Sequence, residues 1–198
     1  MRAVADRWRV PNREGNDGPW SSFQLRIGTP PQFPRVLIAT NGWNSWVVLP
    51  QPGCNSSTVS CADSRGTLFN PSQSRTWRDQ GLYPLSLEQN LNYSTHADYG
   101  FDKVGVGLLG SGGPVLDSQV VAGFENNVDY YLGMFGLAPF ATNFSTVGNP
   151  QPSFIATLKA KNLIPSISWS YTAGARYRKC SLLLVSGSLL IRDVIDQV

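Results

Sequence analysis

The sequence predicts an all-β domain, and three observations carry that expectation. Charged residues make up only 15% of the 198-residue chain, while Gly and Pro number 19 and 14. That balance is rich in turn formers and poor in the charge pairs that support exposed helices. The apolar residues come in short runs of strand length, such as the stretch from Arg35 to Thr40. Only Pro152–Asn162 places its apolar residues, Phe154, Ile155 and Leu158, on one helical stripe, with Lys159 and Lys161 in the last turn and Leu163-Ile164-Pro165 as a stop. A chain of this length suits one domain or two small ones and can bury a real core.

Along the chain, residues 1–18 are polar and without period, and read as an arm. Strands are expected over Ser22–Ile27, Arg35–Thr40 and Ser45–Leu49. Asn41-Gly42 lies between alternating apolar residues, a two-residue turn signal, so a plain hairpin is one reading of Val36–Val48. Ile167–Tyr171 is a further strand-like segment. Ser181–Ile191 is the longest candidate for a membrane helix, and it is too short and carries serines.

The formal net charge is +3, and the arginines (Arg2, Arg7, Arg9, Arg13, Arg26 and Arg35 among them) are scattered. This is an ordinary solvated surface and not a nucleic-acid footprint. Of the three cysteines, Cys54 and Cys61 are close and Cys180 stands apart. Their C-x6-C spacing is too wide for a zinc knuckle, and the one histidine, His96, is distant in sequence. A small disulfide loop is the preferred reading, with two free buried thiols as the alternative. No metal or cofactor is expected. Sequons begin at Asn55, Asn92 and Asn143. With a disulfide they suggest a secretory history and an extracellular or secretory location, although the N-terminus MRAVADRWRV shows no signal-peptide pattern.

Several motifs together resemble the pepsin-like aspartic peptidases of the A1 family. Ile27-Gly28-Thr29-Pro30-Pro31-Gln32 is similar to that family's Gly-Thr-Pro-Pro-Gln lead-in, and Trp46-Val47 to the Trp-Val that closes its Asp-Thr-Gly-Ser segment. Leu68–Trp77 resembles the Phe-x-Pro-x-x-Ser-x-Thr-aromatic element, which tucks a short helical turn onto the lobe. Asp102–Gly107 resembles the Asp-Thr-Val segment that lies beyond the flap, and Tyr131–Ala138 the strand that packs beside the catalytic loop. The resemblance runs from about Gly18 to Arg178. It implies an arm over 1–18, one lobe of the acid-protease fold with a short helix over 19–178, and an atypical tail over 179–198. Such a lobe often carries a disulfide loop where Cys54 falls. Gly187-Ser188-Leu189 is similar to the start of the family's central strand, but residues 190–198 do not continue the pattern.

The same alignment puts Ala39 at the catalytic Asp, with Thr40 matching, Asn41 in place of Gly and Gly42 in place of Ser. No Asp or Glu occurs between Asp17 and Asp63, so a shift of register does not restore the carboxylate. Aspartic peptidases need two carboxylates sharing a proton, one to activate water and one to polarise the scissile carbonyl. The flap tip is expected at Gln89, Asn90 and Leu91, where the family has a tyrosine; Tyr93 and Tyr99 are off position. The resemblance therefore implies an inactive single-lobe homologue, similar to a fungal-type secreted subgroup, with a cleft for peptide or glycan. The alternatives are an active aspartic endopeptidase that recruits Asp98 or Asp102, a cell-surface structural module, and a truncated fragment. If the lobe reading holds, residues around Ala39 contact residues around Gly136.

Overall fold

The computed structural model describes residues 22–55, 57, 59–88, 93–107, 113–125, 131–144, 150–172, 181–185 and 189–193. The arm over 1–18, Asn92, Cys180 and the expected flap tip at Gln89–Leu91 lie outside the described residues. The all-β expectation holds. Among the described residues ten strands form: β1 (Phe23–Ile27), β2 (Arg35–Ala39), β3 (Trp46–Val48), β4 (Arg78–Glu88), β5 (Tyr93–Val106), β6 (Val115–Phe124), β7 (Gly133–Gly136), β8 (Trp169–Thr172), β9 (Ser181–Val185) and β10 (Leu189–Asp193). No helix among the described residues is long and apolar enough to cross a membrane.

Seven strands make one sheet in the order β1-β2-β7-β3-β6-β5-β4. A further pairing of β1 with β5, Leu25 opposite Val106 and Ile27 opposite Val104, curls the sheet back on itself. Closure removes an exposed edge, and it leaves β4 as the outer arm of the long β4–β5 hairpin. Alternation along β1 is the local cause of its placement: Phe23, Leu25 and Ile27 are buried, whereas Gln24 and Arg26 are half-buried.

The Asn41-Gly42 hairpin does not form. β2 and β3 are not paired with each other, because β7 lies between them, parallel to β2 and antiparallel to β3. Residues 40–45 span this gap as an irregular loop, so a turn signal in sequence is overridden by a strand that arrives from far along the chain.

Helix α2 (Phe154–Ala160) falls inside the expected Pro152–Asn162. Ser153 caps its first turn, and Phe154, Ile155 and Leu158 enter the core beside Val121, Phe135 and Leu137. Each such side chain contributes roughly 2 kcal/mol through burial. The chain leaves the helix through Asn162 at φ 55, where the Leu163 amide bonds the Leu158 carbonyl at 2.9 Å. A second short helix, α1 (Val59–Ser64), was not expected; at 6 residues it is too short for a periodic signal. The expected helical turn after Leu68 is present as a 3-10 turn at Pro71–Gln73, capped by the Asn70 side chain.

The Cys54–Cys61 disulfide is formed, with a Cα–Cα distance of 5.4 Å. It joins the end of β3's exit loop to α1. By loop entropy a closed ring of this size contributes about 2–3 kcal/mol.

A second buried cluster contains Trp46, Val48, Leu85, Ala97, Tyr99, Val120, Ala122 and Phe124. Tyr99, which the sequence places off the expected flap position, is a core residue: it is 2% exposed and its ring stacks on Phe144 at 4.7 Å. Burial pushes its phenol from 10.0 up to about 12. The sign is direct. Between those two values the unfolded chain has lost this proton and the folded chain retains it, so stability falls as pH rises through that window. Tyr99→Phe is expected to flatten this part of the pH–stability curve. Denaturant midpoints measured from about pH 9 to 12 check it, and an unchanged slope in the variant would count against the assignment.

Candidate functional site

The loop after β2 carries Ala39-Thr40-Asn41-Gly42, the segment on which the sequence resemblance turns. Ala39 ends the strand, 8% exposed, and stands in register with Gly136 of β7. The parallel pairing continues past the strand ends. The Leu137 amide donates to the Ala39 carbonyl at 2.9 Å, and the Ala138 amide to the Gly42 carbonyl at 2.9 Å. The expected contact between the Ala39 and Gly136 segments is thus present.

The packing there is tight because two glycines allow it. A Cβ on Gly42 would come to 2.9 Å from the Ala39 methyl. One on Gly136 would meet the carbonyl oxygens of Gly42 and Asn44 at 2.6 Å. The loop is also tied to the chain beyond β7: Thr142 Oγ1 donates to Asn44 Oδ1 at 2.5 Å. Thr40 and Asn41 point outward and are exposed. Trp43 is 40% exposed and meets Phe140, 63% exposed, edge to face at 6.1 Å between centroids. This aromatic pair carries no signal in the sequence motifs. Its only sequence signal is two aromatics in separate loops, Trp43 after β2 and Phe140 after β7.

Chemically the loop is neutral. It offers hydrogen-bonding groups and apolar rings, and residues 39–45 carry no titratable side chain. Asp102 and Asp98, the alternative carboxylates, are elsewhere. Asp102 is 1% exposed on β5, and its Oδ1 accepts from Thr76 Oγ1 at 2.5 Å and from the Lys103 amide at 2.7 Å. Thr76 Oγ1 also lies 3.1 Å from Thr29 Oγ1, and Ser74 Oγ accepts from the Thr29 amide at 3.1 Å. Asp102 therefore belongs to a buried cluster that fastens the Gly28-Thr29 turn to the segment after the 3-10 turn. Asp98 lies on β5 in register with Gly123 of β6 and lines a separate cavity.

Among the sequon asparagines, Asn55 and Asn143 are exposed. Asn55 Oδ1 accepts from the Ser57 amide at 2.9 Å. Among the described residues no group of three His, Cys, Asp or Glu side chains is placed to hold a metal ion. Comparison with protein-family models and with curated proteins finds no match for the chain.

Proposed function

We propose that this chain is a catalytically inactive, single-lobe relative of the pepsin-like aspartic peptidases, and that the neutral surface around Ala39 binds a peptide or glycan. The observation that carries the reading is the pairing of Ala39 with Gly136. Two segments far apart in sequence resemble the family's catalytic loop and the strand beside it. Their adjacency supports the match, because a chance likeness of either segment carries no expectation about the other. The 3-10 turn at Pro71–Gln73 and the Cys54–Cys61 loop support it further. The inactivity rests on Ala39: hydrolysis by this route needs a carboxylate at that position to take a proton from water, and the loop contains none.

An active peptidase built on Asp98 or Asp102 is the weaker reading, since neither side chain belongs to the Ala39 loop and Asp102 is engaged with Thr76. A secretory setting goes with the proposal; the disulfide and the exposed Asn55 and Asn143 support it.

Purified protein is expected to cleave denatured globin at acid pH no faster than a buffer blank. Ala39→Asp is expected to remain silent as well, because one carboxylate lacks the second with which it must share a proton. Pepstatin-sensitive cleavage by the unaltered chain would overturn the inactivity. Ligand binding is read separately, from the Trp43 indole signal in 1H–15N spectra titrated with short neutral peptides and oligosaccharides.

A further inference from the structure

A cavity of about 500 Å3 opens on the face of the sheet formed by β4, β5 and the end of β6. Its walls include Leu49, Leu82, His96, Asp98, Gly123 and Glu125. The strand register explains how these residues meet. Leu82, Asp98 and Gly123 are partners across three strands and so share a face. His96 lies two residues before Asp98 and faces the same way, opposite Pro84. Glu125 follows directly on the end of β6, two residues beyond Gly123, and lines the same cavity. Gly123 makes room for the apolar floor: a Cβ there would come to 2.5 Å from the Leu49 side chain.

We propose that this cavity is a binding site for an organic cation, the ammonium or guanidinium of a lysine or arginine side chain on a partner peptide. Four features argue for it. The volume is in the range of ligand sites, roughly 300–1,000 Å3. Asp98 and Glu125 bring two carboxylates to one cavity on a chain whose net charge is +3. Neither side-chain carboxylate has an ion-pair or hydrogen-bond partner among the described residues. Leu82, 62% exposed, supplies an apolar wall for the methylene stem that precedes a lysine or arginine head group. A metal ion is the poorer occupant, because no three ligating side chains among the described residues are grouped to hold one. The cavity shares no lining residue with the Ala39 loop, so this inference stands or falls independently of the peptidase relationship.

His96 is the chain's one histidine, and its imidazole is therefore an unambiguous reporter in 1H–13C spectra. Titration with N-acetyl-arginine amide and N-acetyl-lysine amide is expected to shift the His96 signal saturably. N-acetyl-citrulline amide, uncharged and nearly isosteric with the arginine derivative, is expected to leave it in place. The double variant Asp98→Asn/Glu125→Gln is expected to weaken binding about tenfold or more, while the remaining spectrum reports that the fold is kept. No shift with either cationic derivative, an equal shift with the citrulline derivative, or unaltered affinity in the double variant would overturn the proposal. Spermidine is the arm for a free polyamine: affinity about tenfold above the arginine derivative would reject the peptide side chain as occupant.

Discussion

Gly136→Val is expected to destabilise the domain by about 3 kcal/mol, measured as the loss in urea-unfolding free energy. The size of the effect comes from what surrounds the missing side chain. A Cβ would lie 2.6 Å from the carbonyl oxygens of Gly42 and Asn44 and 2.7 Å from the Trp43 carbonyl carbon. These are backbone atoms, so no rotamer change relieves the clash. The loop itself is held on both sides, by the Leu137-to-Ala39 and Ala138-to-Gly42 hydrogen bonds at 2.9 Å and by Thr142 on Asn44. Accommodation must separate β7 from the loop and break those bonds. Gly53→Asn is the contrasting case: its φ is +78, a conformation that asparagine tolerates, and nothing lies within 4 Å of the added Cβ. It is expected to cost about 1 kcal/mol or less. Equal effects at the two glycines would remove the steric account of the Ala39 loop.

That loop also marks where sequence reasoning reached and where it stopped. The strands β1 and β2 were legible because short apolar runs are bounded by Gly-Thr-Pro-Pro and by Asn-Gly. Helix α2 was legible because Phe154, Ile155 and Leu158 share a stripe. The connection of β2 to β7 was not legible in periodicity, since nothing local to Val36–Ala39 names a partner near residue 136; only the family resemblance suggested it. Local signals misled at Asn41-Gly42, where a hairpin turn was plausible until a third strand came between. They were silent at α1, whose 6 residues are tied to Cys54 by the disulfide. Arg65, 1% exposed, was equally hidden: its guanidinium packs over Phe124 and Tyr131 at 5.6 and 5.7 Å, an arrangement that only tertiary structure reveals. The cavity at His96 belongs to the same class. Asp98 is visible in sequence as a carboxylate, but its alignment with Leu82 and Gly123 depends on the register of three strands.

Two tryptophans three positions apart should separate core from candidate site most sharply. Trp46 is 1% exposed in β3, paired in parallel with Ala122 of β6 and opposite Met134 of β7, and its ring meets Phe124 at 6.5 Å. Trp46→Ala removes the largest side chain of the second cluster from between two strands that cannot close over the space without breaking their ladders. The expected loss is about 3–5 kcal/mol, the sum of lost transfer energy and the cavity left behind. Trp43, by contrast, is 40% exposed, and its described ring contact is the edge of Phe140, which is more exposed still. Trp43→Ala is expected to cost about 1 kcal/mol or less, since little area returns to water and one aromatic pair is lost. Urea unfolding followed by far-ultraviolet circular dichroism, which avoids reliance on the altered fluorophores, compares the two variants directly. A domain that tolerates Trp46→Ala would not have its core between β3, β6 and β7. A domain that unfolds with Trp43→Ala would be using that indole for stability, and the surface beside Ala39 would then be structural and not free to receive a ligand.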